Sequence, residues 1–193
     1  MSDGYVSPWW QAVLLPVRWD VCGIELRAMS VWHTFALENL NNAYVSGGEC
    51  NQDSAASLLI VCQRDWAGGR DLYLRPVHRA RVLKNIHKAV KRLKFDDLDA
   101  AIFEYVQACN RTPEHKHKEG GKSASAPYQW HIVDYLTSRN MTVEQAWNYP
   151  YALARCLFDT HRENKGDDSL ADDHLQRSID KQSGEQGDRK EAV

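Results

Sequence analysis

Side chains that could bind a metal ion occur together at one place in the sequence, at Glu114, His115 and His117. Zinc sites use three or four Cys, His or carboxylate ligands on a rigid frame, with further groups that orient those ligands. The two histidines lie in a lysine-rich stretch, and their spacing matches none of the common zinc-binding patterns. We therefore interpret them as solvated loop residues and predict no metal and no cofactor.

Residues for covalent catalysis or phosphate binding form no recognisable motif. A nucleophile needs an adjacent base and a donor for the developing negative charge. No G-x-S-x-G occurs, and Cys156 and His161 are five residues apart, on different helix faces. Gly68-Gly69-Arg70 fits neither phosphate-binding glycine pattern, so its glycines are predicted to end a helix and form a turn. His33 has no candidate ligand beside it and is interpreted as a packed, hydrogen-bonded residue.

The strongest charge feature is the stretch from Arg75 to Lys94, which contains eight Lys or Arg residues and no acid. Four of these residues recur at helical spacing opposite the apolar positions and form a basic face: Arg81, Lys84, Lys88 and Lys91. Such a face is an ordinary solvated surface, a docking surface for an acidic protein segment, or a nucleic-acid footprint. The formal net charge of −2 makes nucleic acid the least favoured of the three. The acidic C-terminal tail could also fold back and cover this face.

Composition places the chain among ordinary globular proteins. Its 193 residues are 43% hydrophobic and 26% charged, enough for one domain with a sizeable core. No apolar stretch approaches the roughly 18 residues needed to span a bilayer, and no signal or transit peptide is visible. The five cysteines are widely spread without a C-x-x-C pair, unlike a disulfide scaffold. These features predict a cytoplasmic protein without a membrane segment.

The N-terminal part predicts an irregular arm followed by a β-hairpin. Trp9 and Trp10 lie among prolines within residues 1–16. Residues 17–27 alternate apolar and polar side chains on both sides of Cys22-Gly23, which is typical of a hairpin. A lone hairpin is marginally stable in water, so we expect it to lie as an appendage on a helical body.

Periodic apolar residues predict six to seven helices after the hairpin, and hence a mainly α fold with one compact domain over residues 1–166. The residues predicted to begin these helices are Ser30, Asp53 or Ser54, Pro76, Asp96 or Asp97, Pro127, Thr142 and Pro150. The predicted helix over residues 55–66 contains the run Leu58 to Cys62, which is apolar nearly all round and predicts a helix in the centre of the core. The inward side chains predicted for the last helix are Ala152, Leu153, Cys156, Leu157 and Phe158.

Two stretches lack apolar periodicity. Residues 110–126 are rich in Gly, Ser, Lys and His, which predicts a flexible, solvated loop. Residues 167–193 contain eight acids, four basic residues and no aromatic side chain, which predicts a disordered acidic tail.

Two parts of the chain resemble proteins of bacteriophage and prophage tail modules. The first is Cys22-Gly-Ile-Glu-Leu-Arg-Ala-Met-Ser-Val-Trp-His33, where a small hairpin leads into a helix, and the likeness continues through Leu58 to Trp66 and the Gly-Gly pair beyond. The second comprises Met141-Thr-Val-Glu-Gln-Ala-Trp147, Tyr149-Pro-Tyr-Ala-Leu-Ala and Glu163-Asn-Lys-Gly166. It resembles the "Trp, Pro, small helix, acid, Gly" ending of tail assembly chaperones. Neither the basic helix nor the loop 110–126 belongs to the resemblance.

The resemblance implies a non-enzymatic chaperone that binds the tape-measure protein during tail morphogenesis in the host-cell cytoplasm. An unassembled tape-measure helix exposes apolar stripes, which a small helical protein can cover. Trp and Tyr dominate interface hot spots, so the aromatic anchors we expect beside the basic face are Trp9, Trp10, Trp32, Trp147, Tyr149 and Tyr151. Ordinary core packing is the alternative for each of them. Two other functions stay open: a nucleic-acid-binding protein that uses residues 75–94, and an enzyme whose site is assembled only in the folded chain.

Overall fold

The computed structural model describes residues 12–110 and 126–166. A two-stranded antiparallel hairpin, β1 (Arg18–Val21) and β2 (Ile24–Arg27), precedes the helices. Nine helices follow within the described residues: α1 (Val31–Asn39), α2 (Ala43–Ser46), α3 (Gln52–Cys62), α4 (Trp66–Leu74), α5 (Pro76–Val90), α6 (Phe95–Asn110), α7 (Tyr128–Thr137), α8 (Val143–Asn148) and α9 (Tyr151–Asn164).

The mainly helical fold with an N-terminal hairpin is confirmed, and α2 and α4 are additional to the predicted helices. None of the helices in the two described ranges is long and apolar enough to cross a membrane. The predictions for the first eleven residues, for most of the loop 110–126 and for the tail 167–193 lie outside the described residues.

The hairpin is part of the core rather than an appendage on it. Trp19 pairs with Leu26 across the strands, and the turn at Cys22-Gly23 has positive φ at both residues, as type I′ turns require. Val21 and Leu26 are fully buried. The Trp19 ring meets Tyr105 of α6 edge-on, with 5.8 Å between the ring centroids. The hairpin therefore closes one end of the helical core.

Helix α3 lies at the centre of the core, as its apolar sequence predicts. Seven of its 11 residues are buried: Ala55, Ala56, Leu58, Leu59, Ile60, Val61 and Cys62. The prediction that Asp53 or Ser54 begins this helix is wrong, because Asn51 is the N-cap. Its side-chain oxygen accepts hydrogen bonds from the backbone N–H groups of both Asp53 and Ser54, at 3.0 and 2.9 Å.

The prediction that Gly68 and Gly69 end a helix is also wrong, because both lie inside α4. Asp65 caps this helix, and its Oδ1 accepts from the Gly68 N–H at 2.8 Å. Gly69 is buried against the indole of Trp32, and a Cβ at this position would lie 2.6 Å from Trp32 Nε1. Position 69 therefore needs glycine because the Trp32 indole of α1 fills the space that a side chain would occupy.

Most other predicted helix starts are confirmed. Ser30 and Thr142 form capping boxes, Pro76 is the first residue of α5, and Asp96 and Asp97 lie in the first turn of α6. One inward prediction in α9 is wrong, since Leu157 is 38% exposed.

The polar residue Asp159 is buried in α9. It accepts a hydrogen bond from the Tyr128 hydroxyl at 2.8 Å, and Arg155 of the same helix lies 3.6 Å from its carboxylate. Apolar pattern alone gives no reason to expect a carboxylate inside, because its burial depends on these partners from the folded chain.

Helix α5 is attached to the body through its C-terminal half. It packs against α3, where Val90 is buried and Ile86 is half-buried against the main core. His87 Nε2 lies 3.0 Å from Oδ1 of Asp53, in the first turn of α3. Helix α4 leads directly into α5 at Arg75-Pro76. The α4–α5 junction therefore lies at the end of α5 opposite to the buried Val90.

Candidate interaction surface

No side chain within residues 12–110 and 126–166 covers the first turns of α5. Every residue from 76 to 81 is exposed, and burial begins only at Val82. Continuing the apolar stripe three or four residues back from Val82 leads to Arg79 and His78, which are not apolar. With no apolar side chain to bury at these positions, this half of the helix stands clear of the body.

The predicted basic face lies on the exposed side of α5, with Arg81, Lys84, Lys88 and Lys91 all exposed. None of these four side chains makes an ion pair with another described residue. They follow each other along roughly 15 Å of helix, at 1.5 Å per residue. Arg75 differs, because its Nε pairs with Asp71 at 2.8 Å. The four residues therefore form a positively charged surface, and no described acid forms an ion pair with any of them.

Apolar side chains at the α4–α5 junction extend this basic face. Tyr73, Leu74 and Val77 are 40%, 72% and 80% exposed. The Tyr73 ring contacts Trp32 edge-on, with 6.2 Å between centroids, so it has a rigid support. Burial raises the pKa of Tyr73, which keeps its hydroxyl neutral. We call these three residues together with the four basic ones the α4–α5 surface.

Sequence reasoning missed the apolar part of this surface. The sequence predicts a helix start at Pro76 and a turn at Gly68-Gly69, so it does not predict α4. The apolar stripe of α5 does not continue before Val82, so Leu74 and Val77 have no predicted apolar partner. This interruption is the sequence signal that could have indicated the apolar part of the surface.

The predicted aromatic anchors lie mostly in the core. Trp147, Trp32 and Tyr151 are 3%, 9% and 9% exposed, so the expectation that they serve as surface anchors is corrected. The Trp147 ring is 5.3 Å from Phe35 and 5.1 Å from Trp130 between centroids, and these contacts explain its burial.

The remaining anchors divide into two groups. Tyr149 is half-buried against the core, and its carbonyl accepts the Val31 N–H at 3.1 Å. Trp9 and Trp10 lie outside the described residues. Among the tryptophans that the structure describes, Trp130 faces outward, with 48% exposure, although it was not predicted as an anchor.

A cleft of about 340 Å³ lies between residues 12–17 and the N-terminal ends of α1, α4 and α9. Its polar groups are already engaged within the chain. His33 Nδ1 accepts from the Ser30 N–H at 2.9 Å, and Nε2 lies 2.5 Å from the Arg64 carbonyl. Asn148 Oδ1 accepts the Trp66 N–H at 2.7 Å. These bonds connect α1 to the residue before the α4 cap and α8 to the first residue of α4, so the cleft's polar groups maintain the fold.

Burial keeps His33 and two buried cysteines in their uncharged forms. His33 is packed and hydrogen-bonded, as predicted, and burial lowers its pKa to about 4, so its imidazole is neutral. Burial raises the pKa of Cys62 to about 12 and that of Cys156 to about 11, so both remain thiols. No three Cys, His, Asp or Glu side chains within residues 12–110 and 126–166 come close enough to hold a metal ion.

Comparisons with known proteins identify no relative. A scan of family models, a search of curated protein sequences and a search of solved structures each returned no match. The functional argument therefore depends on the α4–α5 surface, where exposed apolar side chains adjoin cations without ion-pair partners among the described residues.

Proposed function

We propose that the protein is a non-enzymatic phage tail assembly chaperone that binds an acidic, amphipathic helical segment of a tape-measure protein on its α4–α5 surface. The observation that carries this proposal is the uncovered first half of α5, where Leu74 and Val77 adjoin the basic face. The likeness of residues 22–33 to tail-module proteins, and of residues 141–147, 149–154 and 163–166 to the ending of tail assembly chaperones, supports the choice of partner.

The two parts of the surface have separate roles in this proposal. The partner's apolar stripe covers Leu74 and Val77, and burying apolar area gives about 25 cal/mol per Å² before the costs of association. Tyr73 adds an aromatic contact held in place by Trp32. Acids beside the partner's stripe face Lys84 and the other basic residues, and they mainly raise the rate of encounter.

The proposal predicts that a tape-measure protein is encoded near this chain, and that protein is the partner to test, by co-expression and co-purification. Two variants separate the parts of the surface: Leu74→Asp with Val77→Asp, and Lys84→Glu with Lys88→Glu and Lys91→Glu. We expect the wild-type chain to keep the tape-measure protein soluble and to co-purify with it. Both variants should lose most of this effect while their thermal unfolding is unchanged.

The chain offers a close control for the apolar variant. Val143 is 52% exposed and occupies the first turn of α8, as Val77 occupies the first turn of α5. Val143→Asp should therefore leave co-purification intact. If Val143→Asp and the Leu74/Val77 variant behave alike, the α4–α5 surface is not the binding site.

Because α5 carries a basic face, nucleic-acid binding is the alternative function to test. Labelled duplex DNA and single-stranded RNA can be titrated at 50 and 200 mM salt. Neutralising several phosphates lowers affinity by powers of ten over this range. Sub-micromolar binding with such a salt dependence would replace the chaperone proposal.

A further inference from the structure

We infer that, without a partner, the basic face of α5 is covered by the chain's own C-terminal segment, residues 167–193. The stretch 75–94 carries eight basic residues and no acid, whereas the segment carries eight acids and four basic residues. Opposite charge of this size favours contact between the two. Arg81, Lys84, Lys88 and Lys91 are exposed and have no ion-pair partner among the described residues, so their charges remain available.

The charge distribution is asymmetric at the scale of the whole chain. The formal net charge is −2, and the segment contributes −4, which leaves +2 for residues 1–166. The acids are densest in residues 167–176, where four aspartates occur without Lys or Arg. Leu170 lies between these aspartates and Leu175 follows them, so the same ten residues offer apolar side chains for Leu74 and Val77.

The segment is long enough to reach α5 from the end of α9. It begins after Gly166 and contains 27 residues, which span up to about 90 Å when extended. A folded protein of 193 residues has a radius of gyration of roughly 16 Å, so every part of its surface lies within reach of the segment. Covalent attachment also keeps the segment at a local concentration in the millimolar range, which favours it over a second copy in dilute solution.

This docking does not depend on the identity of an external partner. Its consequence does rest on the proposed function: the tape-measure segment must displace residues 167–193 before it can bind. The inferred contact is therefore an intramolecular competitor that keeps the apolar junction covered until a better-matched acidic helix arrives.

Lysine acetylation by an N-hydroxysuccinimide ester, measured by mass spectrometry on the full chain, tests the contact without any partner. The variant to compare with wild type is Asp167→Asn, Asp168→Asn, Asp172→Asn and Asp173→Asn. At low salt, Lys84, Lys88 and Lys91 should react about threefold more slowly in wild type if the face is covered two-thirds of the time. At 1 M salt, where the Debye length is about 3 Å, the two proteins should react equally.

A control variant removes the same charge from the body of the protein. Glu104→Gln, Asp134→Asn, Glu144→Gln and Glu163→Gln neutralise four exposed acids on α6 to α9. This variant should keep the protection of the three lysines. Equal reactivity of wild type and the aspartate variant at low salt would overturn the inference, as would loss of protection in the control. Protection that grows with protein concentration would also overturn it, because the segment of another copy would then be the occupant.

Discussion

Helices α3 and α5 lie against each other, but the chain uses them in opposite ways. Seven of the 11 residues of α3 are buried, whereas Val90 is the one buried residue among the 15 of α5. The buried apolar side chains of helix α3 lie nearly all round its axis. Helix α5 has enough apolar side chains to anchor its second half, and its first half carries charge into solvent. The contrast indicates that α3 supplies stability and α5 supplies a surface.

The largest expected effect is on the α3 side of this comparison. Leu59 is fully buried, so Leu59→Ala should lower the free energy of unfolding by about 2–5 kcal/mol. Val77 on α5 is 80% exposed, so Val77→Ala should change it by less than about 0.5 kcal/mol. Urea denaturation measures both. Similar losses for the two variants would contradict the division of roles.

The next effect concerns His33, which links α1 to the residue before the α4 cap. Its pKa is about 4 in the folded chain and 6.5 when unperturbed, so between these values the unfolded chain binds the extra proton. Stability should therefore fall as the pH drops from 6.5 to 4, by on the order of 3 kcal/mol. Urea denaturation at several pH values should show a shallower fall for His33→Gln. The exposed His131→Gln should retain the wild-type fall. A shallower fall in both would contradict the assignment.

Gly69→Ala should have an intermediate effect on the free energy of unfolding. Gly69 lies in α4, the helix that connects the core to the α4–α5 surface. The added Cβ would lie 2.6 Å from Trp32 Nε1, and overpacking of this kind costs about 1–3 kcal/mol. At Gly68 the nearest atom is Asp65 Oδ1 at 3.1 Å, and alanine gains up to about 1 kcal/mol in helix propensity. Thermal unfolding should therefore show a clearly smaller loss for Gly68→Ala. The reverse order would mean that α4 does not pack on Trp32 as described.

The smallest expected effect lies on the basic face. Lys84→Ala, Lys88→Ala and Lys91→Ala together should leave the unfolding temperature nearly unchanged, since each exposed substitution changes stability by about 0.5 kcal/mol or less. Scanning calorimetry checks this result. Ile86→Ala on the half-buried side should lower the unfolding temperature more. A large loss from the lysine variant would show that these residues stabilise the fold and are not reserved for a partner.

Local sequence patterns predicted those features that depend on neighbouring residues. The hairpin follows from alternation around Cys22-Gly23, the central helix from the apolar run at 55–62, and the basic face from the spacing of Lys84 and Lys88. Each depends on residues close in the sequence, whose relative positions in a strand or helix are set by its period. The exposed half of α5 was also readable in principle, because Arg75, His78 and Arg79 occupy the positions that its apolar stripe would need.

Features that depend on contacts between distant residues could not be predicted in this way. Position 69 takes a glycine inside a helix because Trp32, far away in the sequence, occupies the space that a Cβ would need. Trp147 is in the core because Phe35 and Trp130 surround it. Thus the sequence by itself determined the hairpin, most of the helices and which α5 face is charged, since these follow from local periodicity. Only the tertiary structure decided which aromatic side chains are buried and that the α4–α5 junction is uncovered, because burial depends on which elements meet.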